Sequence, residues 1–207
     1  MRRVAIAAVA TIVVLLVVSQ VVIPRVLQGE VEKRLERDGG SATASISAFP
    51  AATLLAGRGR SIDIHGSGLT YDLGQRKQKP FERLDGFGRV KVDLRDLDAG
   101  PVRLSSFVLT RDGRGSSYEL TARGSTTPSE LAGEVGNTVG GRLGGLLGSL
   151  ATGLLSSQTT VSVPLSLDAT VDSADGKPDV TAANGSVAGV PAGPLTLVVL
   201  RSVLDRL

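Results

Sequence analysis

Cysteine and tryptophan are absent from this 207-residue chain, and histidine occurs once, at His65. Without cysteine there is no disulfide framework, thiolate metal site, Cys nucleophile or lipidated N-terminal cysteine. A single imidazole excludes a multi-histidine metal cluster and any catalytic arrangement that needs a second one. Aromatic residues are scarce as well, with four Phe and two Tyr. A core must then be assembled from Val, Leu, Ile and Ala, which are small and call for many strands. The chain also lacks a marked excess of one charge. Lys and Arg number 23 against 20 Asp and Glu, and setting aside Arg2 and Arg3 leaves 21 against 20. That balance carries no nucleic-acid footprint, and no nucleic-acid partner is expected.

The chain does have one long apolar run. Val4 to Ile23 contains no charge and only Thr11, Ser19 and Gln20 as polar interruptions. At 1.5 Å per residue, twenty residues cross roughly 30 Å of hydrocarbon. Arg2 and Arg3 form the positive start of a secretory signal, but no small-residue cleavage site comes after the run. An uncleaved signal anchor over residues 1–24 is expected, inserted in the bilayer through residues 4–23. Arg25, Lys33, Arg34 and Arg37 weigh against export of the chain beyond the anchor. The two-residue tail with its tandem Arg, and the β-rich sequence past Arg37, favour an extracytoplasmic domain over residues 25–207. The expected location is a bacterial-type cell membrane, crossed once, with that domain on the periplasmic or envelope side.

Past Pro24, the stretch Arg25 to Arg37 places Val26, Leu27, Val31 and Leu35 at helical spacing, and Asp38-Gly39-Gly40 closes it. Period-two alternation then marks strands at Ala42 to Ile46, Ser61 to Leu73, Gly88 to Leu97, Val102 to Arg111, Ser116 to Arg123, Thr159 to Val171 and Val180 to Val190. In Val90-Lys91-Val92-Asp93-Leu94-Arg95 the alternation is strict, as a strand with one wet face requires. The expected fold is α+β: an antiparallel sheet with hairpin connections and amphipathic helices. Between the two β blocks, Ser129 to Leu155 would present Leu131, Val135, Val139, Leu143, Leu146, Leu147, Leu150 and Leu154 on one helical arc. Gly136, Gly140, Gly144 and Gly148 run beside it. Each helical glycine costs about 0.5–1 kcal/mol relative to Ala, which leaves two accounts open. One is a helix packed closely on the sheet; the other is an element that orders on contact with lipid.

Motifs that would carry chemistry are weak. Asp93, Asp96 and Asp98, with Asp85 nearby, fit neither a Ca²⁺ loop nor a helix face and read as a solvated strand end. Gly57-Arg58-Gly59-Arg60 lacks the Lys-Ser/Thr of a P-loop. It is either an ordinary basic turn or, near a membrane, a headgroup contact through Arg58 and Arg60. No catalytic residue, metal or cofactor is expected.

The segment Phe49-Pro50-Ala51-Ala52-Thr53-Leu54-Leu55-Ala56-Gly57-Arg58, leading into Ser61-Ile62-Asp63-Ile64, resembles the LmeA-family phospholipid-binding proteins of actinobacterial cell envelopes. The family pattern is Gly/Ala-x-Pro, a hydrophobic run ending in Leu-Leu-x-Gly, and a strand with alternate apolar residues. Pro50, Leu54, Leu55, Gly57, Ile62 and Ile64 fit it, whereas Ala51-Ala52 replace a bulkier apolar pair. The resemblance implies a curved sheet and helices enclosing an apolar groove for acyl chains, a TULIP-like arrangement, acting in envelope lipid or lipoglycan maintenance without catalysis. Phe49, Leu54, Leu55, Leu143, Leu146, Leu147, Leu150 and Leu154 would then contact membrane phospholipid. The alternative is a structural domain with a filled core that docks an envelope protein partner.

Overall fold

The computed structural model describes residues 23–33, 35–36, 39–70, 80–100, 102–127, 162–174, 176–193 and 196–197. The apolar run over residues 4–22 and the segment from Ser129 to Leu155 lie outside them, and so do the candidate residues Leu143, Leu146, Leu147, Leu150 and Leu154. Among the described residues no helix is long and apolar enough to cross a membrane.

An apolar stripe at helical spacing makes residues 23–33 a helix, α1. Its Ile23, Leu27 and Val31, with Leu35 beyond, pack on the core. The strands are β1 (Ser41–Ser47), β2 (Gly59–Ser67), β3 (Phe87–Ala99), β4 (Val102–Arg111), β5 (Tyr118–Thr126), β6 (Val163–Ala174), β7 (Lys177–Val187) and the two-residue β8 (Val190–Pro191). A 3-10 helix, Ala51–Ala56, joins β1 to β2, and a short helix α2, Pro80–Leu84, precedes β3. Among the described residues these strands form one curved eight-stranded sheet in sequence order.

All the pairings are antiparallel except one. β2 and β3 run parallel, from Gly59 beside Phe87 to Ser67 beside Arg95. This corrects the expectation of hairpins throughout. A parallel neighbour needs a crossover of a dozen or more residues. Residues 68–86, between the end of β2 and the start of β3, provide that length.

Two bulges and one residue of positive φ interrupt the strands, and each answers a slip in the hydrophobic alternation. In β3 the inward residues are Val90, Val92 and Leu94, then Leu97 and Ala99; Asp96, at φ 51°, absorbs the change of phase. Ser105 does so in β4, where Leu104 and Ser106 pair with the consecutive residues Gly124 and Arg123. Thr181 does so in β7, between Val180 and Ala182. Without these extra residues one half of each strand would turn its apolar set to water.

β1 is an edge strand, and two of its outward amides are covered. Glu32 of α1 accepts a hydrogen bond from the Ala44 N–H, and Glu36 from the Ala42 N–H, both at 2.8 Å. Four residues of helix rise about 6 Å and two residues of strand about 6.6 Å, so the two acceptors match the two donors with α1 antiparallel to β1. Charged acceptors of this kind contribute about 1.5–3 kcal/mol. Glu32→Ala is expected to lower stability by about 1–2 kcal/mol and to promote association through the bared edge. Denaturant melts and analytical ultracentrifugation check both effects.

Candidate functional site

Register across the sheet sorts its apolar face into four rows. The first holds Ile46, Ile62, Val90 and Arg111, continued by Tyr118, Val171 and Val180. The second runs Ala44, Ile64, Val92, Leu109, Leu120, Ala169, Ala183. The third runs Gly66, Leu94, Phe107, Ala122, Leu167, Gly185, and the fourth Leu97, Leu104, Gly124, Leu165, Val187.

Cover is uneven along these rows. Val90, Tyr118, Val171 and Val180 are the largest fully buried side chains, and the first two rows are almost wholly buried. Leu94, Phe107 and Leu167 of the third row, and every member of the fourth, are only half-buried. Small residues lower the surface here, at Gly66, Ala122, Gly124 and Gly185. Leu69 closes over Gly66, and Thr196 over Gly185. Leu94, Phe107 and Leu167 pack against the core but are less covered than the first two rows, and they form a partly open apolar strip, the trough, between Leu69 and Thr196.

The filled end is locked by an ion pair between buried Arg111 and partly buried Asp85. Arg111, 4% exposed, donates from Nη1 to Asp85 Oδ1 at 3.0 Å. Its Nη2 donates to the carbonyls of Leu84, Asp85 and Phe87. The guanidinium carbon sits 4.5 Å from the centroid of the Tyr118 ring, a cation–π contact. Tyr118 in turn meets Phe81 edge to face, with centroids 5.2 Å apart. Asp85 Oδ1 also accepts from Tyr118 Oη at 2.8 Å, while Oδ2 accepts from Ser173 Oγ at 2.6 Å and from the Gly176 N–H at 2.8 Å. At Gly176 φ is +77°, and a Cβ there would lie 2.7 Å from Glu82 Cα. Only glycine lets the β6–β7 hairpin approach α2 closely enough to donate.

This arrangement corrects the expectation that Asp85 belongs to a solvated strand end with Asp93, Asp96 and Asp98. Burial acts to raise the Asp85 pKa, but hydrogen bonds from Ser173, Tyr118 and Gly176 and the charge of Arg111 together bring it below the ordinary carboxylate value. Burial, followed by the Asp85 hydrogen bond, pushes the Tyr118 hydroxyl upward. A carboxylate has about four acceptor positions, and here all are used. Asp85 therefore has no capacity left for a substrate proton, and the cluster is a lock between α2, β3, β4, β5 and the β6–β7 hairpin rather than a catalytic centre.

The opposite face of the sheet is polar. His65 lies on β2, with Nε2 2.9 Å from Asp63 Oδ1 and Nδ1 3.9 Å from Asp93 Oδ2. Beside it is an open pocket of about 300 Å³, lined by residues that include Thr43, Ser67 and Arg95. Among the described residues no group of three His, Cys, Asp or Glu side chains could hold a metal ion. These side chains are exposed cross-strand neighbours, an ordinary wet sheet surface.

The segment that carries the family resemblance is divided by its 3-10 helix. Leu54 and Ala51 are buried, Leu54 against the core. Phe49 is 87% exposed and Leu55 74% exposed, and Arg58 and Arg60 are exposed beside them. So of the candidate lipid contacts, Leu54 is a core residue, Phe49 and Leu55 point outward, and none of the three reaches the trough. In the sequence, the trough residues Leu94, Phe107 and Leu167 are visible only as inward positions of strands. Comparison with models of known families, with curated proteins and with solved structures finds no match to this chain. The LmeA resemblance thus rests on Pro50, Leu54, Leu55, Gly57, Ile62 and Ile64.

Proposed function

We propose that this chain is a non-enzymatic, membrane-anchored phospholipid-binding protein of the cell envelope, with residues 1–24 as the anchor and residues 25–207 as a single extracytoplasmic domain. The observation that carries this reading is the uneven cover of the sheet's apolar face. A domain whose only task is to be stable would bury all four rows, because half-buried Leu and Phe forgo part of about 25 cal/mol per Å² of apolar surface. A partly open apolar strip without polar partners suits an acyl chain. The uncharged run at Val4 to Ile23 and the Pro50 to Gly57 pattern support the same reading.

In this account the trough forms the floor of an apolar groove that amphipathic elements enclose, the TULIP-like arrangement that the resemblance implies. The Leu143 to Leu154 stripe would supply the remaining apolar lining. The trough lies at the end of β1 away from the Phe49 loop, so a bound chain would be held off the membrane that carries the anchor. A filled-core domain that docks an envelope protein is the second reading, and it is favoured by the close packing around Asp85 and Arg111.

The test uses the full chain in detergent micelles, titrated with a phospholipid bearing an environment-sensitive fluorophore on one acyl chain. Saturable binding, displaced by unlabelled phospholipid, is expected. A linear response identical to that of empty micelles would leave the filled-core reading standing.

A further inference from the structure

We infer that the Phe49 to Arg60 loop is a second membrane contact, docking the domain onto an anionic lipid surface beside the anchor. The inference rests on reading residues 4–23 as the bilayer span, and it adds a surface that this reading does not require.

Three observations carry it. The first is position. Glu32 and Glu36 hold Ala44 and Ala42 at 2.8 Å, which fixes α1 antiparallel to β1. Ser47 is three residues beyond Ala44, about 10 Å of strand, and that distance is about seven residues of helix. Ser47 therefore lies level with about residue 25, and the Phe49 loop continues beyond it. The loop and the start of α1 share one end of the domain, where the apolar run joins.

The second observation is exposure on a rigid mount. Phe49, Leu55 and Val26 are three of the four large apolar side chains most open to water among the described residues, at 87%, 74% and 65%. The loop that bears two of them is pinned from behind. Ala51 and Leu54 are buried, Gly57 caps the 3-10 helix through Leu54 O, and Arg114 Nη2 donates to the Gly59 and Gly86 carbonyls that meet at its base. A loop held this firmly presents Phe49 and Leu55 as fixed features.

The third observation is charge. Arg25, Arg58 and Arg60 are exposed around these apolar tips. Apolar side chains ringed by arginine match an interface of acyl chains beneath anionic headgroups, and each basic residue near such a surface contributes about fivefold in affinity.

The chain has no tryptophan, so Phe49→Trp and Leu55→Trp each introduce a single indole reporter, with Ser41→Trp, at the far end of β1, as the distant control. Each full-length variant is reconstituted into vesicles of phosphatidylcholine and phosphatidylglycerol, with bromine on the acyl chains of a fraction of the lipid. Bromolipid is expected to quench the indoles at 49 and 55 and to leave the one at 41 unquenched. In the Phe49→Trp background, Arg58→Gln with Arg60→Gln should shift the docked-to-free ratio about 25-fold toward free at low salt, fivefold for each arginine. Vesicles that float the protein but leave the indoles at 49 and 55 unquenched overturn the contact while the anchor stands. A chain that does not float with vesicles refutes anchor and contact together. Equal quenching in pure phosphatidylcholine would overturn the headgroup role of Arg58 and Arg60.

Discussion

Replacing Arg111 with Met is expected to lower stability by about 3–5 kcal/mol, a large share of the 5–15 kcal/mol typical of a domain. The substitution leaves the partly buried Asp85 carboxylate without its cation and frees three carbonyl acceptors at Leu84, Asp85 and Phe87. Asp85→Asn keeps the shape but strands the guanidinium, and a loss of similar size is expected. The double variant should lose less than the sum of the two, because the remaining charge no longer lacks a partner. The pH dependence has a definite sign. The folded-state pKa of Asp85 is depressed below its ordinary 3.8. Its contribution is therefore fully present above about pH 4 and is lost as pH falls through the lower folded value. Urea unfolding between pH 2.5 and 7 should show wild type losing stability toward the acid end. Asp85→Asn should be flatter over the same interval, and parallel curves would mean that the carboxylate is not held as described.

The second large effect is expected at the trough. Phe107 sits in the third row between Leu94 and Ala122, half-buried and in the middle of the sheet. In the lipid-binding reading, Phe107→Asp places a carboxylate against an acyl chain. That costs several kcal/mol, or forces the group to stay neutral, and binding should fall by two orders of magnitude or more. Phe107 packs against the core but is only half-buried, so the unliganded variant should lose less stability than one altered at a fully buried position. Val180→Asp makes the contrasting variant: its position is fully buried, and it should unfold the domain outright. In the filled-core reading the two substitutions behave alike. Thermal melts beside lipid titrations separate the readings.

The strands are largely legible in the sequence because alternation is local. The alternating run Val102 to Arg111 coincides with β4, and Gly88 to Leu97 falls within Phe87–Ala99. The α1 stripe is legible for the same reason. Local periodicity does not give pairing at a distance. The parallel step between β2 and β3 depends on how residues 68–86 cross over. The Asp85 lock joins groups 26, 33, 88 and 91 residues apart in the chain. No spacing rule connects an aspartate in a turn with a serine on β6.

These interruptions of the strands are legible in principle as slips of phase, since Leu94 to Leu97 and Val180 to Ala183 change parity, but a slip reads equally well as the end of a strand. At Thr53-Leu54-Leu55 the sequence offers a continuous apolar run. The 3-10 helix sends Leu54 inward and Leu55 outward, a distinction that composition does not contain. Glu32 of α1 and Glu36 just beyond it cap an edge strand, and nothing in their spacing shows it. Their role depends on the antiparallel placement of α1 on β1, which is a tertiary fact.

Whether the apolar trough holds a phospholipid is tested by lipid mass spectrometry on the full chain purified in mild detergent, with wild type and Phe107→Asp handled side by side. Both proteins carry the same residues 1–24, so lipid adhering to the anchor is common to the two and cancels. Stoichiometric phospholipid is expected in wild type, above the level in a folded Phe107→Asp variant. Equal lipid content in two folded proteins would contradict lipid binding in the trough.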